Sequence, residues 1–282
     1  MSIGIALALV AAIGYGSADF VGGVGARRAP TMSIVFVGQL AGAAAMLLVG
    51  AGSPSSPTSS DFGWAVLAGL GGGIGSIFLF RGLSRGRMGV VAPTSAVGAV
   101  ALPVLAGLAA GERPAPLVWT GLAIALPGIW LVSRQPSAVQ DSGHGTGRGA
   151  LVDGLLAGVG FGVLFVALGQ IPESAGTLPL AVNQLTGAVL TLAVASVLRQ
   201  RWQPSARAVG WGIASGILGV TASLAFVQAS QLADLGIVAV LTSLYPAVTV
   251  LLARAVLNER IHAAQRVGLI CCTIAVAMVA AP

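Results

Sequence analysis

Residues 80–132 read FRGLSRGRMGVVAPTSAVGAVALPVLAGLAAGERPAPLVWTGLAIALPGIWLV, and the chain makes this pattern twice. The second copy begins 147 positions later, so that Phe80–Val132 aligns without a gap with Val227–Val279. The pair Glu112-Arg113 then falls on Glu259-Arg260. Each copy is an apolar run, a short polar corner that contains Glu-Arg, and a second apolar run. Because a helix of about 20 residues spans a bilayer, the duplication predicts repeated transmembrane hairpins and a membrane protein built from two repeats.

The composition is that of an integral membrane protein. Of the 282 residues, 56% are hydrophobic and 8% are charged, whereas a soluble protein carries about a quarter charged residues. All 14 cationic residues are arginines, and they lie in short loops where they set topology, so the high pI does not indicate a nucleic-acid partner. Cys271 and Cys272 are adjacent in the last apolar run and cannot form a disulfide framework or a metal site. No basic region precedes the first run, which predicts a retained span and not a signal peptide.

The apolar pattern predicts an all-α integral membrane protein with ten transmembrane helices in two inverted five-helix repeats. The ten predicted spans are 3–25, 31–51, 62–80, 88–110, 116–133, 150–170, 177–198, 207–227, 235–257 and 265–281. Residues 1–133 form the first repeat, with spans 1 to 5, and residues 150–282 form the second, with spans 6 to 10. The stretch 134–149 is rich in Ser, Gly and Gln, and it reads as a cytoplasmic linker between the repeats.

The arginines predict the orientation in the membrane. An odd number of spans in each repeat turns the second repeat upside down relative to the first. Thirteen of the 14 arginines lie on the side of the loops that follow odd-numbered spans, and only Arg113 lies on the other side. By the positive-inside rule the odd-numbered loops are cytoplasmic. We therefore expect both termini outside, and a multi-pass protein of the plasma (inner) membrane.

Together these features resemble the drug/metabolite transporter superfamily, in its bacterial EamA branch. The resemblance rests on Gly111-Glu112-Arg113 after span 4, on Asn258-Glu259-Arg260 after span 9, and on Gly16-Ser17-Ala18-Asp19-Phe20 in span 1. It covers nearly the whole chain and implies a secondary transporter that exports small metabolites or toxic compounds through a cavity between the halves. Members of the branch commonly place their termini inside, opposite to the arginine pattern of this chain.

Asp19 is the only acid well inside a predicted span, and an ionisable group within the membrane indicates function. It lies one helical turn from Tyr15 on the same face, so both side chains can point into one cavity. Such a carboxylate suits proton coupling or a cationic substrate. The structural alternative is that Asp19 lies near the end of span 1 and pairs with Arg27 or Arg28.

Further polar and aromatic residues within the spans are candidates for substrate binding. Gln39 and Gln184 occupy equivalent positions of spans 2 and 7, and with Asn183 they either bind substrate or hydrogen-bond neighbouring helices. The other candidates are Ser76, Ser95, Ser223, Thr242, Phe80, Phe161, Phe226 and Tyr245. The serine and threonine hydroxyls have a structural alternative, because hydroxyls in helices often form hydrogen bonds with the backbone of their own helix. Glu112 is predicted to form a salt bridge that fixes its corner, with Arg113 beside it.

Prolines mark two repeat-related spans. Pro93 and Pro103 lie in span 4, and Pro246 lies in span 9. Each lacks a backbone N–H and kinks or breaks its helix, which predicts hinges or broken helices beside a substrate site. For Pro127 in span 5 we expect a static kink.

The sequence therefore predicts a secondary active transporter, an exporter of small metabolites or drugs that are amine-containing or zwitterionic. The expected mechanism is proton-coupled alternating access, with Asp19 exchanging a proton for the amine. One rival is a flippase for a lipid-linked metabolite, which would need a lateral opening for acyl chains. Another is a membrane-embedded lipid-modifying enzyme, which would need a catalytic cluster that the sequence does not show. We expect no cofactor, metal or nucleic-acid partner. The expected partners are a small-molecule substrate, the bilayer and protons, with the chain a monomer or homodimer.

Overall fold

The computed structural model describes residues 2–51, 55–84, 88–113, 115–133, 147–257 and 261–280, and helices dominate this part of the chain. In chain order the α-helices are α1 (Ser2–Ala26), α2 (Thr31–Gly50), α3 (Ser59–Ser84), α4 (Met88–Ala109), α5 (Pro116–Ser133), α6 (Gly147–Gly169), α7 (Leu178–Val197), α8 (Ala206–Ser230), α9 (Leu235–Thr242), α10 (Tyr245–Leu257) and α11 (Ala263–Ala280). A short 3-10 helix, Glu173–Ala175, lies between α6 and α7.

Most of these helices have the length and composition of membrane spans. Within the described residues, seven helical stretches are long and apolar enough to cross a bilayer, with α9 and α10 counted together as one. Three shorter apolar stretches, Thr94–Ala109, Pro116–Val132 and Ala263–Met278, lie in α4, α5 and α11. These three lie within the predicted spans 4, 5 and 10, and they are shorter than the seven candidate spans. The all-helical membrane architecture is confirmed.

The helices pack mainly across the two repeats. Helix α1 packs against α8, α9 and α10 of the second repeat, and α6 packs in the same way against α3 and α4 of the first. The equivalent helices α2 and α7 pack against each other, as do α5 and α11. Most of these helix contacts therefore join one repeat to the other. Equivalent helices make equivalent contacts, so the arrangement has approximate two-fold symmetry.

Glycines allow backbones to approach at equivalent points of both repeats. A Cβ added to Gly216 in α8 would meet the carbonyl oxygen of Gly38 in α2. A Cβ added to Gly69 in α3 would meet the carbonyl oxygen of Asn183 in α7. Gly69 aligns with Gly216 in the repeat, so the contacts α2–α8 and α3–α7 are the same contact made twice. This is the close packing that small residues permit between membrane helices.

The predicted span 9 is interrupted between α9 and α10, at residues 243–244. Pro246 is the second residue of α10 and has no N–H to donate to the preceding turn. The N–H of Ala247 bonds to the carbonyl oxygen of Leu244 at 2.9 Å, which tightens the chain at this point. Helix α4, the equivalent span, continues through positions 93 and 103. It has Ala99 where α10 has Pro246.

The connections between helices gather at two opposite faces of the molecule. The connections after α2, α4, α6 and α8 form what we call the even-loop face. There Ser56 N–H donates to the carbonyl of Ser174 at 3.0 Å, and Gln231 Nε2 donates to the carbonyl of Ile171 at 3.2 Å. The other helix ends form the odd-loop face, where Ser33 Oγ at the start of α2 donates to the carbonyl oxygen of Gln203, between α7 and α8, at 3.1 Å.

Candidate functional site

Two tyrosine–serine pairs join the repeats, and they use the only two tyrosines in the sequence. The Tyr15 hydroxyl on α1 lies 2.8 Å from Ser223 Oγ on α8. Tyr245 on α10 forms a side-chain hydrogen bond with Ser95 on α4. In each pair the tyrosine comes from one repeat and the serine from the other. Four of the predicted substrate-binding residues therefore lie on the interface between the repeats.

Asp19 lies close to both tyrosines. It follows Tyr15 by one turn of α1, it is half-buried, and its carboxylate lies within electrostatic range of the side chains of Tyr15 and Tyr245. No arginine in the described part of the chain forms an ion pair with Asp19. Arg28 lies over the ring of Trp211, with its guanidinium carbon 5.7 Å from the ring centroid. The structure thus brings Asp19 to the tyrosines and not to the arginines at the end of α1.

Helices α1 and α10 touch through their backbones one turn before Asp19. Thr249 Oγ1 donates to the carbonyl oxygen of Gly16 at 3.0 Å. A Cβ at Gly16 would lie 2.5 Å from the carbonyl oxygen of Tyr245, so this position requires glycine. The contact sets the spacing between Asp19 and the first turn of α10.

Buried aromatic rings lie behind Tyr15. The ring of Phe165 on α6 meets Tyr15 edge-on with centroids 5.8 Å apart, and stacks on Phe226 at 4.8 Å. Phe226 is fully buried in the core, which favours packing for this predicted site residue. Phe165 was not among the predicted residues, although the alignment of the two repeats indicates this position. When Tyr15 is aligned with Phe161, Asp19 falls on Phe165, so the second repeat has an aromatic ring where the first has the acid.

The remaining hydroxyl and aromatic candidates lie around this cluster. Thr242 is fully buried and its Oγ1 donates to the carbonyl of Ala8 at 3.4 Å. Phe161 packs on Gly75 of α3, where an added Cβ would lie 2.7 Å from the ring. Ser76 is half-buried on α3. Their roles in binding stay predictions.

The structure describes the side chains of two of the three predicted hinge prolines. Pro103 is buried within α4, and Pro246 is buried at the start of α10. The side chains of Phe80 and Pro93 lie outside the described residues.

The predicted amides lie at the interface of α2 and α7. Gln39 Oε1 accepts a hydrogen bond from Thr191 Oγ1 at 3.0 Å. The Gln39 amide nitrogen faces Gly187, and the amide nitrogen of Gln184 faces Gly42. These two contacts are equivalent in the repeat and favour helix packing. Asn183 is buried on α7, with 3% of its surface exposed.

An ion pair on the odd-loop face was missed by the sequence analysis. Arg81, predicted to lie in a loop, is in the last part of α3 and forms an ion pair with Asp153 of α6. Asp153 is 2% exposed. Its position just inside the predicted span 6 was a usable signal, because a buried carboxylate needs a compensating charge or donor.

Glu112 does not form the predicted corner salt bridge. Its Oε1 accepts from the N–H of Leu235 at 2.7 Å, and its Oε2 accepts from the N–H of Gly236 at 3.2 Å. These are the first two residues of α9, where N–H groups lack partners within the helix. The exposed Arg113 makes no ion pair with Glu112. The free N–H groups and the positive end of the α9 dipole attract the carboxylate instead.

A cavity of about 450 Å³ adjoins this contact on the even-loop face. Its walls come from the ends of α4, α6 and α8 and from the start of α9. The charged residues in the wall are both acids, Glu112 and Asp234. The cavity gives water access to the even-loop end of the repeat interface.

Comparison with known proteins identifies the family. The sequence profile described as "EamA-like transporter family" matches the chain twice, over residues 2–134 and 149–281. A solved structure titled only "Crystal structure of protein" is similar in fold, with a TM-score of 0.72 and 17% identity. The match covers 98% of this chain and 95% of the other. No curated protein matches the sequence significantly. The two profile matches cover almost all of both helical repeats, and the chain belongs to the EamA-like transporter family.

Proposed function

We propose that this membrane transporter is a proton-coupled exporter of small metabolites or drugs that carry an amine. The single observation that carries the proposal is the position of Asp19, a carboxylate without an arginine partner among the described residues, close to both tyrosines at the repeat interface. Asp19 binds either a proton or the substrate ammonium group, so that loading one releases the other. The tyrosine rings offer their faces to the cation.

The charge of the interface supports this class of substrate. The interface around the two tyrosine–serine pairs contains one acid, Asp19, and the hydroxyl groups of the pairs. An anionic substrate such as a sugar nucleotide would need cations there. Arg81, the arginine deepest in α3, is engaged by Asp153. A cationic or zwitterionic amine is therefore the better fit.

The proposed mechanism is alternating access between two inverted repeats of five spans each. The exchanged packing of the helices supports it, because each repeat supplies one side of the tyrosine–serine interface. In this proposal α4, α5 and α11 complete the ten spans, and the odd-loop face lies in the cytoplasm at the inner membrane. Both termini are then outside.

The test is proton movement in proteoliposomes that contain a trapped pH indicator. A panel of primary, secondary and quaternary amines is added at outside pH values from about 6 to 8, the range around neutrality. We expect some of these amines to drive proton counterflow through the wild-type protein. Asp19→Asn should abolish this counterflow, because the amide cannot exchange a proton.

Asp234→Asn is the matched control, since it removes the same charge at the N-terminal cap of α9, outside the tyrosine cluster. We expect it to transport like the wild type. Equal rates for Asp19→Asn and the wild type across this pH range would make Asp19 a structural residue and would remove the proposed coupling.

A further inference from the structure

The contact between Glu112 and α9 links the two repeats at the even-loop face. Glu112 follows α4 at the corner of the hairpin that residues 80–132 form in the first repeat, whereas α9 belongs to the second repeat. The carboxylate uses both oxygens, one for Leu235 N–H and one for Gly236 N–H. A charged acceptor on two N–H groups of a helix terminus makes a strong, directional contact.

The chain is shaped to bring Glu112 into this position. Gly111 has a φ of 92°, a backbone conformation that residues with a side chain rarely adopt. After this turn Glu112 N–H bonds back to the carbonyl of Gly107 at 2.9 Å. A Cβ at Gly107 would collide with the Glu112 carboxylate, so glycine leaves the space that the side chain occupies. The Gly-Glu sequence therefore aims the carboxylate across the repeat interface.

The two halves of the broken span differ in how deeply they are buried in the protein. All eight residues of α9 are buried, and Gly236 packs against Val104 of α4. Helix α10 instead exposes its last turns, with Leu251 49% exposed and Val256 60% exposed. The even-loop end of this span is thus packed against α4, whereas the last turns of α10 face away from the rest of the protein.

We infer that Glu112 is a positioning residue that latches the repeats together at the even-loop face. The inference rests on the proposed alternating access, in which this face must open during the cycle. Opening separates α9 from α4 and breaks both hydrogen bonds of Glu112. The adjoining cavity brings water to the carboxylate and to the N–H groups, so that water replaces the lost bonds and the latch is reversible.

The experiment measures distances between pairs of spin labels in detergent or lipid, without any substrate. The background carries Cys271→Ala and Cys272→Ala, which remove the natural thiols. One label pair, at Leu108 and Leu232, spans the even-loop face between α4 and the start of α9, and both positions are exposed. A second pair, at Leu151 and Val256, spans the odd-loop face between α6 and α10.

We expect Glu112→Ala to shift the population towards longer even-face distances by about tenfold or more, the size expected for loss of charged hydrogen bonds. Glu112→Gln keeps one acceptor oxygen and should give an intermediate shift, which also provides a test if the alanine variant does not fold. Glu173→Ala removes an exposed carboxylate from the same face and should leave the distances unchanged.

With two label pairs, the experiment tests the role of Glu112 and the proposed alternating access independently. Even-face distances in both Glu112 variants that equal those of Glu173→Ala would overturn the latch. A longer even-face distance with no shortening at the odd-loop face would support the latch and contradict alternating access.

Discussion

At the scale of single residues, the two repeats have diverged where chemistry is expected. Asp19 in the first repeat aligns with Phe165 in the second, and both residues lie near Tyr15. One repeat thus supplies a charge and the other supplies a ring. The packing glycines, in contrast, are kept at equivalent positions in both repeats. Packing preserves the internal symmetry of this chain, and the candidate site breaks it.

These glycines give a prediction with an internal control. Alanine at Gly216 or Gly69 places a Cβ against a backbone oxygen, so either change should lower the free energy of unfolding by about 1–3 kcal/mol. The measurement is thermal or denaturant unfolding in detergent.

The controls lie on the same helices at repeat-equivalent positions. A Cβ at Gly210 in α8 or at Gly63 in α3 meets no atom within 4 Å. Alanine there should leave stability unchanged or raise it by up to about 1 kcal/mol, since alanine is the better helix former. Equal losses at all four positions would show that close approach is not the reason for glycine at Gly216 and Gly69.

At the scale of helices, the broken span distinguishes the second repeat from the first. Helices α9 and α10 meet beside Tyr245, close to Asp19, whereas α4 passes Ser95 without a break. Proline at position 246 removes the donor that would join α9 to α10. The break therefore lies beside the candidate site, and it has no counterpart in the equivalent helix α4.

Pro246→Ala should lower transport while the yield of folded protein holds or rises. The alanine N–H can donate to the preceding turn and join the two short helices into one straight span. Amine-driven proton counterflow measures the effect. Pro127→Ala in α5 is the control, because Pro127 lies within a continuous helix, and it should transport normally. Unchanged transport in Pro246→Ala would reduce this proline to a packing feature.

At the scale of the molecule, the repeats hold each other and do not form separate bundles. Helix α1 depends on α8 to α10 for its neighbours, and α6 depends on α3 and α4. Each repeat would lose these contacts if the other were absent. A site on the interface is then built from both halves, which suits a transporter that changes the distance between them.

The orientation of the molecule gives a prediction for the intact chain. Because the sequence places 13 of the 14 arginines on the side of the loops that follow odd-numbered spans, both termini should be outside. A C-terminal fluorescent reporter that matures only in the cytoplasm should stay dark, and a phosphatase active only outside should give signal from the same position. A bright reporter with a silent phosphatase would reverse the orientation.

The sequence by itself was enough for the class of protein, the two repeats and the family. Composition and the recurrence of long apolar runs report membrane spans directly, because the bilayer sets their length and excludes charge. The same logic singled out Asp19, since an acid in such a run is costly. Local patterns also placed Pro246 in a span that is broken. They did not show that α4, the equivalent span of the first repeat, is a continuous helix.

Only the tertiary structure decided which helix touches which. In lipid, outward and inward faces are both apolar, so periodicity does not show which face of a span packs or against what. The neighbours of α1, the ion pair of Arg81 with Asp153, and the binding of Glu112 to α9 all join residues far apart in the chain. Glu112 shows the reason most clearly. Its neighbour Arg113 predicted a salt bridge, but the free N–H groups of a helix 123 residues away took both carboxylate oxygens.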